Sequence, residues 1–194
     1  MIAGLILAAG ESRRMGRDKA LLTYRGRTFI ETILQNLIAA GIVNVTVVLG
    51  HHAGTIQAKA DLSKARVVVN AEYEQGQTSS LQAGLATLST DDPDAVMLCL
   101  VDHPAVSREV VTRLKEQFET THPHVLIPTH NGERGHPVII NKVLFPELLA
   151  LAPGEPANTV IRKYRPETQF IEVADRGILV DVDEPRNYER LEEV

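Results

Sequence analysis

The sequence has no tryptophan, a single cysteine and few aromatic residues. Aromatics make up 4% of its 194 residues, which argues against a surface of stacking platforms for nucleic-acid bases. The lone Cys99 cannot form an intrachain disulfide, which fits a reducing compartment. No apolar stretch is as long as a membrane span, so we expect no membrane partner.

The charges exclude a general binder of polyanions. The chain has 20 Lys and Arg against 25 Asp and Glu, for a formal net charge of -5. Nucleic acid is therefore not an expected partner, and any affinity for phosphate must come from a local cluster. The run LILAAG resembles a signal core, but Arg13 and Arg14 follow it instead of preceding it. We expect residues 1–22 to be the first structural unit of a cytoplasmic protein.

Apolar runs alternate along the chain with stretches of helical periodicity. No repeat or low-complexity linker interrupts them, so we predict one domain over residues 1–194, with an α/β fold and a mostly parallel central sheet. Strands are predicted at 3–9, 44–50, 65–70, 94–102, 124–129 and 136–141, with a hairpin at 169–175 and 177–182. Helices are predicted at 28–41, 78–88, 107–119, 142–151, 156–164 and 185–194.

The loop GESRRMGRDK follows the first strand. In parallel sheets ligands bind beyond the carboxyl ends of the strands, so this loop is a candidate site. Gly10 and Gly16 bracket it, and glycine lets the backbone approach a ligand closely. Cations outnumber carboxylates in it, and backbone N–H groups with Arg and Lys bind phosphate. The pattern therefore favours a phosphate loop over a solvated turn. Its cations are Arg13, Arg14, Arg17 and Lys19.

Two common phosphate loops are absent, since neither G-x-x-x-x-G-K-[ST] nor G-x-G-x-x-G occurs. The stretch reads L-A-A-G-x-S-x-R-M-G-x-x-K and closely resembles the signature of the molybdenum cofactor guanylyl- and cytidylyltransferases, the MobA-like nucleotidyltransferases. The resemblance implies a three-layer, Rossmann-like fold of the GT-A-like type. It also implies that the loop, with Arg13, holds a triphosphate and that Arg14 and Lys19 are catalytic. The residues in register are Leu7, Ala8, Ala9, Gly10, Ser12, Arg14, Met15, Gly16 and Lys19.

Carboxylates at two later positions suit a divalent metal. Asp102 ends the predicted strand 94–102, and VDHP resembles the D-x-P of the family, where the aspartate is a catalytic metal ligand. Asp181 and Asp183 share a strand face by the two-residue period, and the resemblance implies a second ligand here. Both stay candidates. Mg²⁺ is the expected ion, with Mn²⁺ as a substitute. The structural alternatives are a turn cap at Asp102 and a helix cap at Asp183.

The stretch YEQGQTSSLQAG resembles the G-x-x-x-S-L-x-x-G of the family, which lies against the nucleotide base. The resemblance implies that Gly76 allows a close approach and that Ser79 or Ser80 donates hydrogen bonds to the base. Asn70, at the end of the third strand, is a further candidate for base contact. Ser79 and Gln82 also fit a capping box at the start of a helix.

One of the seven histidines lies in a family-like motif. Gly135-His136-Pro137 resembles the G-H-P-V of the cytidylyl branch, which faces the acceptor, so His136 and Pro137 are candidate substrate contacts. The other histidines are expected on the surface or in turns, and none has the spacing of a zinc site. They are His51, His52, His103, His122, His124 and His130.

The resemblance implies nucleotidyl transfer. Ala9 stands where the guanylyl branch has glycine, which favours the cytidylyl branch and CTP as the donor. The implied acceptor is phosphorylated, namely molybdopterin, and the implied protein partner is a molybdoenzyme or its maturation factor. Pyrophosphate leaves without a covalent enzyme intermediate. The open alternatives are guanylyl transfer, a sugar- or alcohol-phosphate acceptor, a D-x-D glycosyltransferase using DVD (181–183), and a non-catalytic nucleotide-binding protein.

Overall fold

A computed structural model describes residues 1–191 of the chain. Its strands are β1 (Ile2–Ala8), β2 (Thr23–Tyr24), β3 (Arg27–Thr28), β4 (Val45–Leu49), β5 (Arg66–Val69), β6 (Ala95–Leu100), β7 (Val125–His130), β8 (Glu133–Arg134), β9 (Val138–Asn141) and β10 (Thr168–Glu172). Its α-helices are α1 (Phe29–Ala39), α2 (Ala53–Lys59), α3 (Gln77–Leu88), α4 (Arg108–Thr121), α5 (Phe145–Leu149), α6 (Asn158–Lys163) and α7 (Pro185–Glu189).

The central sheet has the strand order β10-β7-β9-β6-β1-β4-β5, with β8 added beside β7. β1 pairs in parallel with both β4 and β6, and β5 and β10 are parallel to their neighbours. β9 runs antiparallel between β6 and β7. The α/β fold with a mostly parallel sheet is therefore confirmed. The carboxyl ends of β1 and β6 lie side by side, and the loops that follow them share one edge of the sheet.

Helices cover both faces of the sheet and make three layers. Successive side chains of β1 point to opposite faces of the sheet, Ile6 to one face and Leu5 to the other. Because both faces are covered, every residue of the strand is apolar and buried. One face packs against α1 and α4, and the opposite face packs against α3, α5 and α6. A third, smaller cluster joins Met15 of the first loop to Val182 near the end of the chain. This cluster holds two distant segments of the candidate site together.

The predicted start of α1 is confirmed in atomic detail. Thr28 accepts a hydrogen bond from the Glu31 backbone N–H, and the Glu31 carboxylate accepts from the Thr28 N–H. This capping box satisfies backbone donors that the first turn would otherwise leave open. The helix ends at Ala39, and Gly41 has a positive φ of 81°.

The predicted hairpin at 169–175 and 177–182 is wrong. β10 pairs in parallel with β7, and Arg176–Leu179 is a short 3-10 helix. Asp175 starts this turn, because its carboxylate accepts hydrogen bonds from the N–H groups of Gly177 and Ser107. The Ile178 carbonyl then accepts from the His136 N–H. These contacts use backbone groups that a hairpin partner would need.

The predicted capping box at Ser79 and Gln82 is also wrong. α3 begins one turn earlier, at Gln77, with Gly76 as its N-cap residue at a φ of 101°. Ser79 instead donates its hydroxyl proton to backbone carbonyls of Glu72 and Gly76. Gln82 donates to backbone carbonyls at the end of α5.

Several shorter elements differ from the sequence predictions. The helix α2 and the β2–β3 hairpin were not predicted, because each is too short to show a clear period. α5, α6 and α7 are shorter than expected. The last three residues of the predicted final helix lie outside the described residues. No helix within 1–191 combines the length and the apolar character needed to cross a bilayer.

Gly135, between β8 and β9, provides a test of how this segment packs against the turn at 176–179. A Cβ atom at this position would overlap the backbone carbonyl of Ile178. We expect Gly135→Ala to lower the free energy of unfolding by about 1–3 kcal/mol, measured by urea denaturation. The matched control is Gly54→Ala in α2, where a Cβ atom meets nothing within 4 Å. The control should be neutral or stabilising by up to about 1 kcal/mol. Equal stability of Gly135→Ala and wild type would contradict this packing.

Candidate active site

Lys19 lies between two carboxylates at the edge where β1 and β6 end. Its Nζ is 3.3 Å from Oδ2 of Asp102 and donates a hydrogen bond to Oδ1 of Asp183. The Lys19 side chain is 12% exposed, whereas the two aspartates are about one quarter exposed. Three separate segments therefore meet at one ammonium group: the loop after β1, the end of β6 and the stretch before α7.

The first loop is closed by its own hydrogen bonds. The Ser12 carbonyl accepts from the N–H groups of Met15 and Gly16, both at 3.0 Å. The Ser12 hydroxyl accepts from the Lys19 N–H at 3.1 Å, so Ser12 fixes the backbone that carries Lys19. Ser12 adopts a positive φ of 53° and Gly16 one of 72°, which gives the loop its tight curvature. Arg13 points outward, where it pairs with Glu11 and is 83% exposed.

Asp183 is aligned by its neighbour Val182. The Val182 N–H donates to the Asp102 backbone carbonyl at 2.8 Å, and the Val182 side chain is completely buried. Arg14 adds a second cation, with Nη2 2.6 Å from Asp183 Oδ2. The hydrogen bond from Lys19, together with the charges of Lys19 and Arg14, lowers the pKa of Asp183. The alternative that Asp183 caps the last helix is wrong, because Glu184 is the N-cap residue of α7.

The same carboxylates fit a divalent cation. Oδ1 of Asp102 is buried and has no hydrogen-bond partner within residues 1–191. The other oxygen of Asp102, Oδ2, and the carboxylate of Asp183 both form an ion pair with Lys19. Mg²⁺ and Mn²⁺ prefer one or two carboxylates of this kind, completed by phosphate oxygens and water. Asp181, the other candidate, is exposed and makes no ion pair inside the described part of the chain.

A cavity of about 250 Å³ opens beside this cluster. It brings together candidates from the first loop, from the start of α3 and from the end of β6, which the sequence places far apart. The predicted site residues that line it are Leu7, Ala8, Ala9, Gly10, Ser12, Lys19, Gly76, Ser80 and Asp102.

The predicted base contacts differ in their freedom to bind a ligand. Asn70 is buried, and its side-chain amide donates to the hydroxyls of Ser79 and Ser80, at 2.9 and 3.1 Å. The Asn70 carbonyl oxygen accepts from the Glu72 N–H. Asn70 therefore holds the loop before α3 in shape. Ser80 and Gly76 line the cavity, while the hydroxyl proton of Ser79 is engaged by backbone carbonyls.

His103 and His136 form a pair behind Asp102, with ring centroids 4.9 Å apart. His103 closes a turn after β6, as one of the two expectations had it, since its N–H donates to the Leu100 carbonyl, but its side chain is only 12% exposed. Burial lowers the pKa of both histidines, and that of His136 falls to about 4. Pro137 lines a small apolar pocket together with His103 and His136.

Sequence spacing did not reveal a second polar cluster at the turn after β4. Asp18 contacts His52, with 3.2 Å between a carboxylate oxygen and Nδ1, and the His51 and His52 ring centroids are 3.8 Å apart. Ligand atoms of the three residues all lie within 4.8 Å of one another. The contact ties the first loop to the turn between β4 and α2. The contact could not be inferred from sequence spacing, because Asp18 and His52 are 34 residues apart.

A larger cavity of about 870 Å³ adjoins the first and shares Leu7, Gly76, Gln77 and Leu100 with it. His136 lines this larger cavity, as do three arginines that the sequence analysis did not single out. Arg134 directly precedes the Gly135-His136-Pro137 motif, whereas no motif surrounds the other two, so only the fold shows that all three line one cavity. They are Arg134, Arg162 and Arg165.

Comparisons with known proteins agree with this geometry. The profile of the MobA-like NTP transferase domain matches residues 4–168, a range that includes Lys19 and Asp102 but ends before Asp183. The chain is 24% identical over 187 residues to the molybdenum cofactor cytidylyltransferase of Escherichia coli K12, which covers 95% of this chain and 92% of that protein.

Two further matches extend over nearly the whole chain. The chain is 32% identical over 203 residues to the nicotine blue oxidoreductase of Paenarthrobacter nicotinovorans, covering 98% of this chain and 96% of that protein. The crystal structure of Rv0371c from Mycobacterium tuberculosis H37Rv in complex with manganese superposes with a TM-score of 0.82 and 26% identity, covering 99% and 98% of the two chains. Manganese is a divalent cation, the class of ion that Asp102 and Asp183 fit.

The low pKa of His136 predicts a pH dependence of stability. A histidine in the unfolded chain titrates near 6.5, whereas His136 in the folded protein titrates near 4. Between these values the unfolded state binds more protons, so stability is full above pH 6.5 and falls as the pH drops towards 4. We expect this group to contribute up to about 3 kcal/mol of that loss.

The measurement is urea unfolding of wild type and His136→Asn at roughly pH 7 and pH 4.5. The variant should lose less stability than wild type between the two conditions. An identical loss in both proteins would show that His136 titrates normally in the folded state.

Proposed function

The chain belongs to the MobA-like NTP transferase family, and we propose that it transfers CMP from CTP to a phosphorylated acceptor, molybdopterin, with release of pyrophosphate. The observation that carries this proposal is the cluster of Lys19, Asp102 and Asp183 at the mouth of a cavity lined by the first loop. A triphosphate needs cations and backbone donors on one side and a divalent metal on the other. This edge of the sheet offers both.

The first loop supplies the phosphate-binding side. Lys19 and Arg14 provide positive charge, and Gly10 leaves open space beside its Cα, where a Cβ atom would meet nothing within 4 Å. A phosphate group can therefore approach the loop backbone closely. Arg13 is more exposed and faces Glu11, so we assign it a weaker, peripheral contact with the phosphates.

Asp102 and Asp183 supply the metal-binding side, and we propose that Asp183 is the second ligand in preference to the exposed Asp181. Mg²⁺, or Mn²⁺ in its place, would neutralise charge on the phosphates when bound. Lys19 balances the two carboxylates in the structure, and a bound triphosphate offers its ammonium group a new anionic partner.

The reaction that suits these groups is a direct displacement. An oxygen of the acceptor phosphate forms a bond to the α-phosphorus of CTP, and the bond from that phosphorus to the pyrophosphate oxygen breaks. Lys19 and Arg14 stabilise the negative charge that develops on the transferred group and on pyrophosphate. No protein nucleophile is required. Cys99 could not serve as one, because burial raises the pKa of its thiol to about 12.

The choice of CTP is supported by Ala9 and by the Gly135-His136-Pro137 motif, of which Gly135 and His136 line the larger cavity. The cytidylyltransferase of E. coli, which is similar over nearly the whole chain, points in the same direction. Guanylyl transfer is the alternative within the same chemistry. A sugar- or alcohol-phosphate acceptor would also leave the catalytic cluster unchanged.

An oxidoreductase is a second candidate, because the chain is 32% identical to nicotine blue oxidoreductase. The phosphate loop could bind the pyrophosphate of a nicotinamide dinucleotide. The sequence lacks the G-x-G-x-x-G fingerprint of dinucleotide-binding folds, and the Asp102–Asp183 pair has no role in hydride transfer. Oxidation of NADH or NADPH separates this candidate from pyrophosphate release.

The first experiment measures pyrophosphate release from CTP, GTP, ATP and UTP with Mg²⁺, with and without molybdopterin. We expect release from CTP only when both the metal and the acceptor are present. Asp102→Asn should lower kcat by about a hundredfold or more, because it removes a charge at the reaction centre. Thermal unfolding of the variant checks that the fold is intact.

Asp181→Asn is the matched control and should keep kcat within about twofold of wild type, since Asp181 lies outside the cluster. Release from GTP alone would keep the mechanism and overturn the base assignment. No release from any nucleotide with an active acceptor preparation, or full activity of Asp102→Asn, would contradict the proposed function.

A further inference from the structure

The turn after β4 places two adjacent histidines against the first loop. The ring centroids of His51 and His52 are 3.8 Å apart, and Asp18 of the loop contacts His52. Within residues 1–191 this is the only group of three or more His, Cys, Asp or Glu side chains in which one ligand atom from each lies within 4.8 Å of the others. The described part of the chain therefore has one cluster that combines nitrogen and oxygen ligands.

The contact between Asp18 and His52 has the spacing of two ligands of one ion. His52 Nδ1 is 3.2 Å from each carboxylate oxygen of Asp18. Two ligand atoms that bind Zn²⁺ tetrahedrally, each about 2.1 Å from the ion, are roughly 3.4 Å apart. The side chain of Asp18 is 17% exposed and that of His52 is 56% exposed, so an ion can reach both from solvent.

A hydrogen bond between Asp18 and His52 would explain that contact, but it leaves the position of His51 unexplained. His51 is held on two sides: its N–H donates to the Ala9 carbonyl at 3.1 Å, and its Nδ1 is 3.4 Å from the Tyr73 hydroxyl. Outer contacts of this kind fix the ring orientation of histidines that bind metals. A third ligand is therefore already oriented beside the first two.

Two imidazoles and one carboxylate suit a divalent transition-metal ion. Imidazole is a common ligand of Zn²⁺, Ni²⁺ and Cu²⁺, whereas Mg²⁺ prefers oxygen ligands. Three protein ligands leave a fourth position of a tetrahedral ion for water. This donor set differs from that of Asp102 and Asp183, which offer carboxylate oxygens alone. The two places are therefore suited to different classes of ion.

We propose that Asp18, His51 and His52 bind a divalent transition-metal ion of the Zn²⁺ class, and that the ion fastens the first loop to the turn between β4 and α2. Asp18 directly precedes Lys19 in the chain, and the His51 N–H is bonded to Ala9 at the end of β1. The bound ion therefore restrains the loop at the residue next to Lys19. The site shares no residue with the catalytic cluster and does not depend on the proposed function.

The first test measures Zn²⁺ binding to the untagged protein by competition with a chromogenic chelator. Excess Mg²⁺ is present throughout to occupy sites built from oxygen ligands. We expect a single high-affinity Zn²⁺ site in wild type. His52→Asn and Asp18→Asn, which each remove a ligand, should weaken Zn²⁺ binding by about a hundredfold, and Tyr73→Phe, which removes an outer contact, by about tenfold.

The matched control is His122→Asn, which should keep the wild-type affinity. His122 is exposed and has a positive φ of 46°, close to the 51° of His52, and asparagine tolerates this backbone region. Thermal unfolding without metal confirms that each variant is folded. No Zn²⁺ binding by wild type, or equal affinity in wild type and in the two ligand variants, would overturn the proposal.

Limited digestion with trypsin tests whether the ion fastens the loop. The side chains of Arg13 and Arg14 are 83% and 65% exposed, so the loop offers tryptic sites that mass spectrometry can identify. At a Zn²⁺ concentration about ten times the Kd, cleavage there should slow by about tenfold in wild type. The same Zn²⁺ should leave the rate unchanged in His52→Asn, which also controls for effects on trypsin. Equal cleavage of wild type with and without bound Zn²⁺ would contradict the fastening role.

Discussion

The candidate site depends on one ammonium group, that of Lys19, shared by Asp102 and Asp183. This contact joins the loop after β1, the end of β6 and the segment before α7. Without a cation, two partly buried carboxylates would repel each other. Val182 holds the segment before α7 in place. Its N–H donates a hydrogen bond to the Asp102 carbonyl, and its side chain packs in the buried cluster that contains Met15. Because the two carboxylates need a cation between them, the space between Asp102 and Asp183 is also suitable for a divalent metal.

The parallel sheet separates the two halves of the proposed reaction. Its strand ends present a cationic loop and two carboxylates to the triphosphate, while its α3 face provides much of the lining of the larger cavity. The catalytic cluster suits any phosphorylated acceptor, so discrimination among acceptors must come from residues outside it.

Local patterns in the sequence predicted the elements that depend on local physics. Contiguous apolar residues predict β1 and β6, the pairing of Thr28 with Glu31 predicts the start of α1, and a carboxylate directly after a buried strand marks Asp102. Contacts across long separations were not predictable, since Lys19 and Asp183 are 164 residues apart. The hairpin prediction failed for two reasons. The Asp175 carboxylate accepts from the Gly177 N–H and so favours a local 3-10 turn, and the Ile178 carbonyl accepts from the distant His136 N–H. Arg162 and Arg165 resemble ordinary surface arginines in the sequence, and only the fold shows that they line the larger cavity.

The most direct test of the central contact is a carboxyl ¹³C NMR titration of Asp183 in metal-free buffer, in wild type and in Lys19→Met. Arg17→Met, in the same loop but stacked on Tyr188 instead, is the control. In wild type and in the control, the pKa of Asp183 should lie below the usual range for aspartate, and in Lys19→Met it should rise. The same pKa in wild type and Lys19→Met would show that Lys19 does not hold the two carboxylates together.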